Sequence, residues 1–491
     1  MRFGALPFNA SQVDERPSVW QGLAGVYQHA LTWLMRRVPN ERQRLLAVTI
    51  IAGGLCGLAA VAFHLTIGVL EKLLIDHANA APGYSWIWWT ILTPAIGGTV
   101  AGIGLVYWAP GAAGSGIPQV KVAYALRSGL VPFKETLGKF ILCALQIGSG
   151  ASLGLEGPTV QICAGVSSLL ARAVRLSPKN CRRMASVGMS AGIAAAFNAP
   201  IAAVTFTLEE LVGDLDQTIL SGVIVAAALA AVVENKVLGS RPIFHVPRPF
   251  TFDQPSSLLW YALLGLLAAG VSVAFSDSLL WLRDQFRRMT AVPKWLRPGI
   301  GGLATGALAV VGFVFFHLNG IAGDPYKTLE LAFTGSLPVA CMASFCLLKL
   351  AGTVCSYSSG GSGGIFAPSL FMGGMLGGAV GWMDVMVFHH SADSIGAFAV
   401  VGMGAVFAGI VRAPMTSVLI IFEMTGGYGM VVPLMIANMS AFALARHWRR
   451  VPVYEALLAQ DGIYLHHEAS PIDPPEAPEI PAPELPPASE P

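Results

Sequence analysis

One glutamate stands between glycines inside a long apolar region, in the stretch Gly154-Leu155-Glu156-Gly157-Pro158. The glycines let the backbone bend and approach a ligand closely, and Pro158 is placed to be the first residue of a helix. The N-terminus of a helix has unpaired N–H groups and a partial positive charge, and both attract anions. An ionisable residue at membrane depth is costly and marks a functional site. We therefore predict that Glu156 lies at an anion site and competes with the anion for it.

Two further stretches combine flexible backbone with an early proline. They are Gly114-Ser115-Gly116-Ile117-Pro118 and Gly364-Ile365-Phe366-Ala367-Pro368. If the three helix starts converge on one point, they offer N–H donors without a full cation, and Ser115 adds a hydroxyl donor. A small anion that must bind and leave quickly suits such a site, because a lysine or arginine would hold it too firmly. The alternative is that these glycines only permit close helix packing.

The composition defines the setting of these motifs. The chain has 491 residues, of which 54% are hydrophobic and 12% charged, whereas soluble domains carry roughly 25% charged residues. We therefore expect an all-α polytopic protein embedded in the lipid bilayer. With a net charge of +2 and no basic block, no nucleic acid is expected as a partner. The sequence has no nucleotide-binding or zinc-ligand spacing, and therefore predicts neither a cofactor nor a metal.

The apolar segments are short and interrupted by glycine or proline. They cover about 45–70, 87–108, 140–153, 184–208, 218–236, 258–282, 299–317, 338–355, 369–388, 397–422 and 429–445. Several are shorter than the roughly 20 residues needed to cross a bilayer. Broken helices are tolerated at membrane depth only where they line an enclosed cavity, so the pattern favours a transport pathway.

Four short patterns recur in the same order, at offsets of 212, 204, 210 and 214 residues. They are Val61-Ala62-Phe63 with Val273-Ala274-Phe275, Pro94–Gly98 with Pro298–Gly302, Gly154–Pro158 with Gly364–Pro368, and Ala199-Pro200 with Ala413-Pro414. The last two are followed at the same distance by Glu209 and Glu423. The recurrence predicts two related halves, 45–236 and 258–460, joined by a polar connector at 237–257. Transporters are often built from such inverted repeats, with the substrate held where the halves meet.

The two ends of the chain are polar. Residues 1–44 include four arginines just before the first apolar run: Arg36, Arg37, Arg42 and Arg44. The positive-inside rule therefore puts the N-terminal segment in the cytoplasm. Residues 461–491 are rich in proline and glutamate and are expected to be disordered or polyproline-like.

The motifs closely resemble those of the CLC family of chloride channels and chloride/proton exchangers. The family signatures GSGIP, G(K/R)EGP and GxFxP correspond to 114–118, 154–158 and 364–368, and Ala194–Pro200 and Tyr454 also match. The resemblance extends from about 45 to 460. It implies two inverted halves with broken and re-entrant helices. It also implies chloride and protons as substrates, and a homodimer with one pathway per subunit and an interface near 184–236 and 397–445.

The resemblance also implies individual roles. Glu156 would be the gating and external proton glutamate, whereas Ser115 and Tyr454 would donate hydroxyls to a central chloride. The amides of Ile365 and Phe366 would complete that chloride site. The remaining motif residues would line the site (Gly114, Gly116, Leu155 and Gly157) or support it (Pro118, Pro158 and Pro368).

Two other charged residues gain roles from the resemblance. Glu210 falls where exchangers carry an internal proton-transfer glutamate and where channels generally lack a carboxylate, so it favours exchange. The alternative for Glu210, and for Glu209 before it, is a solvated helix end. Lys139 matches a basic residue that raises the local potential for anions, and the alternative is a plain interfacial lysine.

The sequence departs from the family in two places. Leu155 replaces a basic residue that usually precedes the gating glutamate, and the charged carboxylate should be less favourable without that cation. Only about 37 residues follow Tyr454, too few for an ordinary domain, so the family's paired nucleotide-binding regulatory domains are expected to be absent. Ser115 favours chloride, since nitrate-preferring relatives tend to carry proline there.

These residues leave three candidate functions. The first is a secondary active transporter that exchanges chloride for protons in a bacterial inner (plasma) membrane, with multiple spans and both termini in the cytoplasm. The second is a passive chloride channel of the same fold. The third is an intramembrane protease with Ser362 as nucleophile in the run Gly360–Gly363. It is disfavoured because no later histidine is centred in an apolar span; these are His389, His390, His447, His466 and His467.

Overall fold

The computed structural model describes residues 40–213, 217–239, 244, 250, 252, 255–323, 325–391 and 393–465. Within these ranges the regular elements are helices, which confirms the all-α class. Most of the N-terminal segment, part of the connector and the end of the tail lie outside the described residues, and the expectations for them stay predictions.

The helices of the first half follow one another with short connections. They are α1 (Glu41–Glu71), α2 (Ser85–Tyr107), α3 (Ile117–Leu126), α4 (Phe133–Gly148), α5 (Glu156–Ala173), α6 (Pro178–Phe197), α7 (Pro200–Thr207) and α8 (Gln217–Leu238). A π turn at Lys72–Asp76 and a short helix at His77–Asn79 continue α1, and a second π turn at Leu208–Val212 continues α7.

The second half repeats this order. Its helices are α9 (Leu258–Arg288), α10 (Arg297–Phe316), α11 (Tyr326–Phe333), α12 (Val339–Ser358), α13 (Phe366–Phe388), α14 (Asp393–Val411), α15 (Pro414–Thr425) and α16 (Val431–Trp448), and α17 (Val453–Gln460) follows. Short 3-10 turns lie at Pro110–Ala112, Pro255–Ser257 and Tyr428–Met430.

Short helices are interspersed among long ones. Among the described residues, nine helical stretches are long and apolar enough to cross a membrane, which confirms the polytopic membrane class. In contrast, α3, α7 and α11 have only 10, 8 and 8 residues and cannot span a bilayer. The broken helices expected from the interrupted apolar pattern are therefore present.

Two apolar runs that the sequence presents as continuous are each divided into two helices. The run 184–208 breaks where α6 ends at Phe197, Asn198 follows with a φ of 47°, and α7 begins at Pro200. The run 397–422 breaks where α14 ends at Val411, Arg412 follows with a φ of 70°, and α15 begins at Pro414. A left-handed residue ends each first helix, and a proline two residues later can only begin a new one.

Equivalent helices of the two halves pack against each other, α2 against α10 and α7 against α15. The α2–α10 contact depends on glycine, because a Cβ on Gly98 would lie 2.5 Å from the Pro298 carbonyl oxygen. In the reciprocal contact, a Cβ on Gly302 would lie 2.1 Å from the Pro94 carbonyl oxygen. This exchange of contacts is what an approximate two-fold relation between the halves produces.

At the α7–α15 contact, two glutamates make equivalent hydrogen bonds, one from each half to the other. The Glu209 carboxylate accepts the amides of Met415 and Thr416 at 3.1 and 2.9 Å, at the start of α15. The Glu423 carboxylate accepts the amides of Ile201 and Ala202 at 3.0 and 2.7 Å, at the start of α7. Each carboxylate stabilises the positive end of the opposite helix. Glu209 is half-buried and binds the start of the facing helix, so it has a structural contact beyond that of a solvated helix end.

The α2–α10 contact generates a stability prediction. We expect Gly302→Ala to lower the free energy of unfolding by about 1–3 kcal/mol, because the added methyl overlaps a backbone oxygen that cannot move freely. The matched control is Gly54→Ala in α1, where a Cβ would have no neighbour within 4 Å. It should be neutral or stabilising by up to about 1 kcal/mol. Thermal unfolding in detergent micelles measures both, and equal midpoints for the two variants would contradict the packing argument.

Candidate functional site

Each of the three glycine–proline motifs begins a helix. The helices α3, α5 and α13 start at Ile117, Glu156 and Phe366. The prolines are therefore the second or third helical residue, and the expectation that Pro158 is the first residue is wrong by two positions. The missing proline N–H still costs nothing, because N–H groups in the first turn have no partner within the helix.

Backbone pairing between the halves brings the three motifs together. Gly154 N–H donates to the Gly364 carbonyl at 2.8 Å, and Gly364 N–H donates back to Gly154 at 2.6 Å. Gly114 N–H donates to the Gly361 carbonyl at 2.8 Å, and the Gly114 carbonyl accepts from Gly363 at 3.1 Å. The loops before α3 and α5 are thereby each joined to the loop before α13.

The Glu156 side chain is 1% exposed and points to the start of α13. Its Oε2 accepts from the Ala367 amide at 3.4 Å, and its Oε1 accepts from the Tyr326 hydroxyl at 2.6 Å. Ala367 is the second residue of α13, so the carboxylate lies at the positive end of that helix, where an anion would be stabilised. The Glu156 Oε2 atom would lie only 2.3 Å from a Cβ on residue 154, which explains the glycine at that position.

A cavity of about 70 Å³ lies beside the Glu156 carboxylate. Its lining includes Leu155, Glu156 and Tyr326, together with His64 and Glu71 of α1. A water needs roughly 10–15 Å³ of such volume, so the cavity can hold several waters. Water can therefore deliver or remove a proton at Glu156.

The hydroxyls of Ser115 and Tyr454 are both fully buried. Neither has a hydrogen-bond partner among the described residues, although the two are close enough to interact with each other. A buried polar group without a partner costs about 1–3 kcal/mol. Ser115 precedes α3 and Tyr454 belongs to α17, so two elements far apart in the chain direct hydroxyls to one place. An acceptor placed there would satisfy both.

The glycines of the first motif contribute by conformation. Gly114 and Gly116 have φ values of 74° and 103°, which strongly favour glycine. Their amides already donate to the Gly361 carbonyl and, at 2.9 Å, to the Gln119 side chain. In this structure, therefore, these two amides are not directed at an anion. Gly157 is required for close packing, because a Cβ there would lie 2.6 Å from the Ser115 carbonyl oxygen.

Ile365 and Phe366 form the start of α13 and are fully buried. Their amides belong to the first turn, which lacks partners within the helix. The Phe366 ring packs against Phe197, Phe206 and Phe407 at centroid distances of 5.6, 5.3 and 4.8 Å. This aromatic packing fixes the helix start where Glu156 meets it.

Lys139 is fully buried, so the interpretation as an interfacial lysine is wrong. Its ammonium group donates to the Ala112 and Gly114 carbonyls at 2.7 and 2.6 Å. It therefore fixes the loop that carries Ser115 and adds positive charge behind it.

The hydroxyl of Ser362 donates to the Ala112 carbonyl at 2.6 Å. No hydrogen bond joins it to a histidine within the described part of the chain. This bonding gives no support to the protease alternative, because a serine nucleophile needs a neighbouring base.

Glu210 lies in the π turn after α7 and is 8% exposed. Its carboxylate pairs with the Lys121 ammonium at 2.8 Å, and Lys121 also reaches Glu455 at 3.5 Å. The alternative of a solvated helix end is therefore wrong. Glu455 is adjacent to Tyr454, so Lys121 joins Glu210 to the helix that carries the tyrosine.

Sequence reasoning missed Lys121 and Tyr326. One feature of the sequence could have indicated the role of Lys121. It lies three residues after Pro118 among apolar residues, and a buried cation needs a carboxylate partner. No sequence feature pointed to Tyr326, because it is 170 residues from Glu156 in the chain.

The fold and the site together define a polytopic helical membrane protein in which three helix N-termini meet near a buried carboxylate and two buried hydroxyls. The chain belongs to the family described as "Voltage gated chloride channel", which matches residues 97–446. The resemblance to the CLC family is thereby confirmed.

Relatives with assigned names are similar over most of the chain. The "H(+)/Cl(-) exchange transporter ClcA" of Salmonella paratyphi A (strain ATCC 9150 / SARB42) is 30% identical over 437 residues, which cover 87% of this chain and 91% of that protein. The ClcA of Salmonella typhi is also 30% identical, with the same coverage.

Solved structures share the fold. A slow cyanobacterial Cl-/H+ antiporter superposes with a TM-score of 0.78 at 25% identity, covering 85% of this chain and 98% of that chain. A CLC-type fluoride/proton antiporter superposes with a TM-score of 0.69 at 23% identity, covering 84% of this chain and 97% of that chain. At that identity the second likeness concerns the fold alone.

The unpartnered hydroxyls generate a prediction. Without a small anion, we expect Tyr454→Phe to be more stable than the wild type by about 1 kcal/mol, because it removes a buried hydroxyl that makes no hydrogen bond of good geometry to the described residues. The stabilisation that added chloride gives to the wild type should shrink in this variant. Thermal unfolding with chloride or gluconate measures both effects. The control is Tyr428→Phe, at a side chain that is 77% exposed. It should change neither the stability without chloride nor the stabilisation by chloride. A full chloride effect in Tyr454→Phe would contradict the assignment.

Proposed function

We propose that this protein is a secondary active transporter that exchanges chloride, and similar small anions, for protons. The observation that carries the proposal is the position of the Glu156 carboxylate at the N-terminus of α13. There it occupies the place that a free anion would take. The names of the two Salmonella relatives point to the same activity.

Coupling follows from competition for one place. A charged Glu156 is attracted to the start of α13 and excludes an anion from it. Once protonated, the side chain loses that attraction and can turn toward the adjoining cavity, so that the anion takes the helix terminus. Anion entry at this point therefore accompanies proton binding. The hydrogen bond from Tyr326 favours the blocking position, since it stabilises the charged carboxylate.

The central anion would lie further along the pathway. The hydroxyls of Ser115 and Tyr454 and the amides of Ile365 and Phe366 are its proposed donors. These are neutral groups, which bind an anion without the tight hold of an ammonium or guanidinium. Lys139 supplies positive charge behind the Ser115 loop without contacting the anion. Serine rather than proline at 115 supports chloride over nitrate.

Glu210 is the proposed internal proton glutamate. It is a buried carboxylate close to the tyrosine helix, and the Lys121 ammonium compensates its charge at 2.8 Å. Proton transfer would then require this pair to separate or the carboxylate to turn.

A passive chloride channel is the second candidate, and the same ion pair favours it. A Glu210 held permanently by Lys121 would be structural and would carry no proton. Glu156 would then act only as a gate.

The assembly and its orientation are also proposals. Apolar side chains face outward on α7, α8, α15 and α16; Ile201, Ile224, Met415 and Met435 are 55%, 48%, 65% and 53% exposed. These helices support a homodimer interface within the segments 184–236 and 397–445. Arg42 and Arg44 at the start of α1 support a cytoplasmic N-terminus by the positive-inside rule. The proposed location is the bacterial inner membrane, with both termini in the cytoplasm.

The test is proton movement in liposomes that contain the purified protein. An outward chloride gradient is imposed while potassium and valinomycin clamp the voltage, and the external pH is recorded. We expect wild-type protein to move protons uphill. In Glu156→Ala and Glu210→Ala, proton movement should fall to the level of empty liposomes while chloride flux continues. Glu209→Gln is the matched control, since it neutralises the adjacent carboxylate, and it should keep exchange.

Two outcomes would contradict the proposal. Chloride flux in the wild type without proton movement would identify a channel. Unchanged proton movement in Glu210→Ala would remove Glu210 from the proton route.

A further inference from the structure

A second cavity, of about 600 Å³, lies between α1, α6 and α8, near the N-terminal end of each helix. Its lining includes Arg42, Leu46 and Thr49 of α1, Arg183 and Val187 of α6, and Ile219 of α8. None of these residues belongs to the anion site. The cavity is large enough for a small organic ligand.

The cavity has a charged end and an apolar end. Leu46 follows Arg42 by four residues on α1, and Val187 follows Arg183 by four residues on α6. Four residues are about one helical turn, or roughly 5.4 Å. Both helices therefore present a guanidinium group at the end of the cavity and an aliphatic side chain one turn deeper. A matching ligand is an anion with an apolar body.

The N-terminal ends of α1 and α6, with the turn before α6, are strongly positive. Residues 41–44 and 172–183 carry seven cationic side chains: Arg42, Arg44, Arg172, Arg175, Lys179, Arg182 and Arg183. Glu41 is the one carboxylate in these ranges. It accepts the Ser177 amide at 2.8 Å and the Asn180 side chain at 2.7 Å. This carboxylate is thus directed at the start of α6 rather than into the cavity.

The apolar end continues into the exposed apolar surface of α1. Leu46 lines the cavity and is 57% exposed, and Ile50, one turn further along α1, is 47% exposed. An acyl chain could leave the cavity over these two residues and enter the bilayer. A free phosphate ion would contact only the arginines and would leave the aliphatic wall uncovered.

We propose that this cavity binds an anionic phospholipid, with its phosphate between Arg42 and Arg183 and an acyl chain over Leu46 and Ile50. Guanidinium groups suit phosphate, because they offer paired donors in a planar arrangement. Basic pockets between helices at the cytoplasmic ends of membrane proteins hold lipid headgroups in this way. Because positive charge concentrates here, the positive-inside rule assigns this end to the cytoplasmic leaflet.

The experiment measures lipid retention by native mass spectrometry. The full-length protein is equilibrated with equal amounts of phosphatidylglycerol and phosphatidylcholine in detergent, and the bound lipids are counted. We expect the wild type to retain phosphatidylglycerol preferentially. The double variant Arg42→Gln with Arg183→Gln should lose roughly thirtyfold in that preference, and Arg42→Gln alone, at an exposed position, roughly fivefold.

Two further variants separate a site from a general basic surface. Arg175→Gln with Lys179→Gln removes the same charge from the same end of the protein, away from the cavity lining, and should keep the preference. The double variant Arg42→Lys with Arg183→Lys keeps the positive charge and should retain most of the preference for phosphatidylglycerol.

Three results would overturn the proposal. The first is a wild type without preference for phosphatidylglycerol. The second is an equal loss in the Arg175/Lys179 pair. The third is displacement of phosphatidylglycerol by an equal concentration of inorganic phosphate, which would identify a phosphate site instead. Each readout is independent of transport, so failure of this proposal would leave the exchange proposal untouched.

Discussion

A carboxylate inside an apolar helical protein must be compensated, and the start of a helix contributes to the compensation of Glu156. Its donors include a backbone amide of α13 and the Tyr326 hydroxyl. A helix terminus carries only about half a charge, so it attracts a carboxylate and a small anion to a comparable degree. A lysine at the same place would bind either too tightly for exchange. The proposed function depends on this weak and shared attraction.

Helix termini can reach the interior because the helices are broken. Asn198 and Arg412 end α6 and α14 with a left-handed residue, and the glycine motifs begin α3, α5 and α13 within the protein. Several of the backbone groups freed in this way are satisfied across the two halves, as in the reciprocal pairing of Gly154 with Gly364. The repeat in the sequence is therefore also a means of satisfying polar backbone where no water is available.

Features that depend on local sequence could be predicted, and features that depend on distant contacts could not. The all-α membrane class, the repeat and the three helix starts follow from composition, spacing and glycine–proline chemistry. The three helices begin one or two residues before their prolines, because proline is accepted throughout the first helical turn. The apolar pattern conceals the division of 184–208, since apolar residues continue through the break. Tyr326 and Lys121 could not be assigned partners, because their carboxylates lie 170 and 89 residues away in the chain.

The most direct test of the central claim is crystallographic. Bromide replaces chloride and is located by its anomalous signal in the wild type and in Glu156→Gln, whose neutral amide imitates the protonated acid. The account predicts a bromide within hydrogen-bonding distance of the Ala367 amide in Glu156→Gln, and none there in the wild type, where the carboxylate occupies the position. A bromide at that amide in both proteins, or in neither, would show that the carboxylate and the anion do not compete for the start of α13.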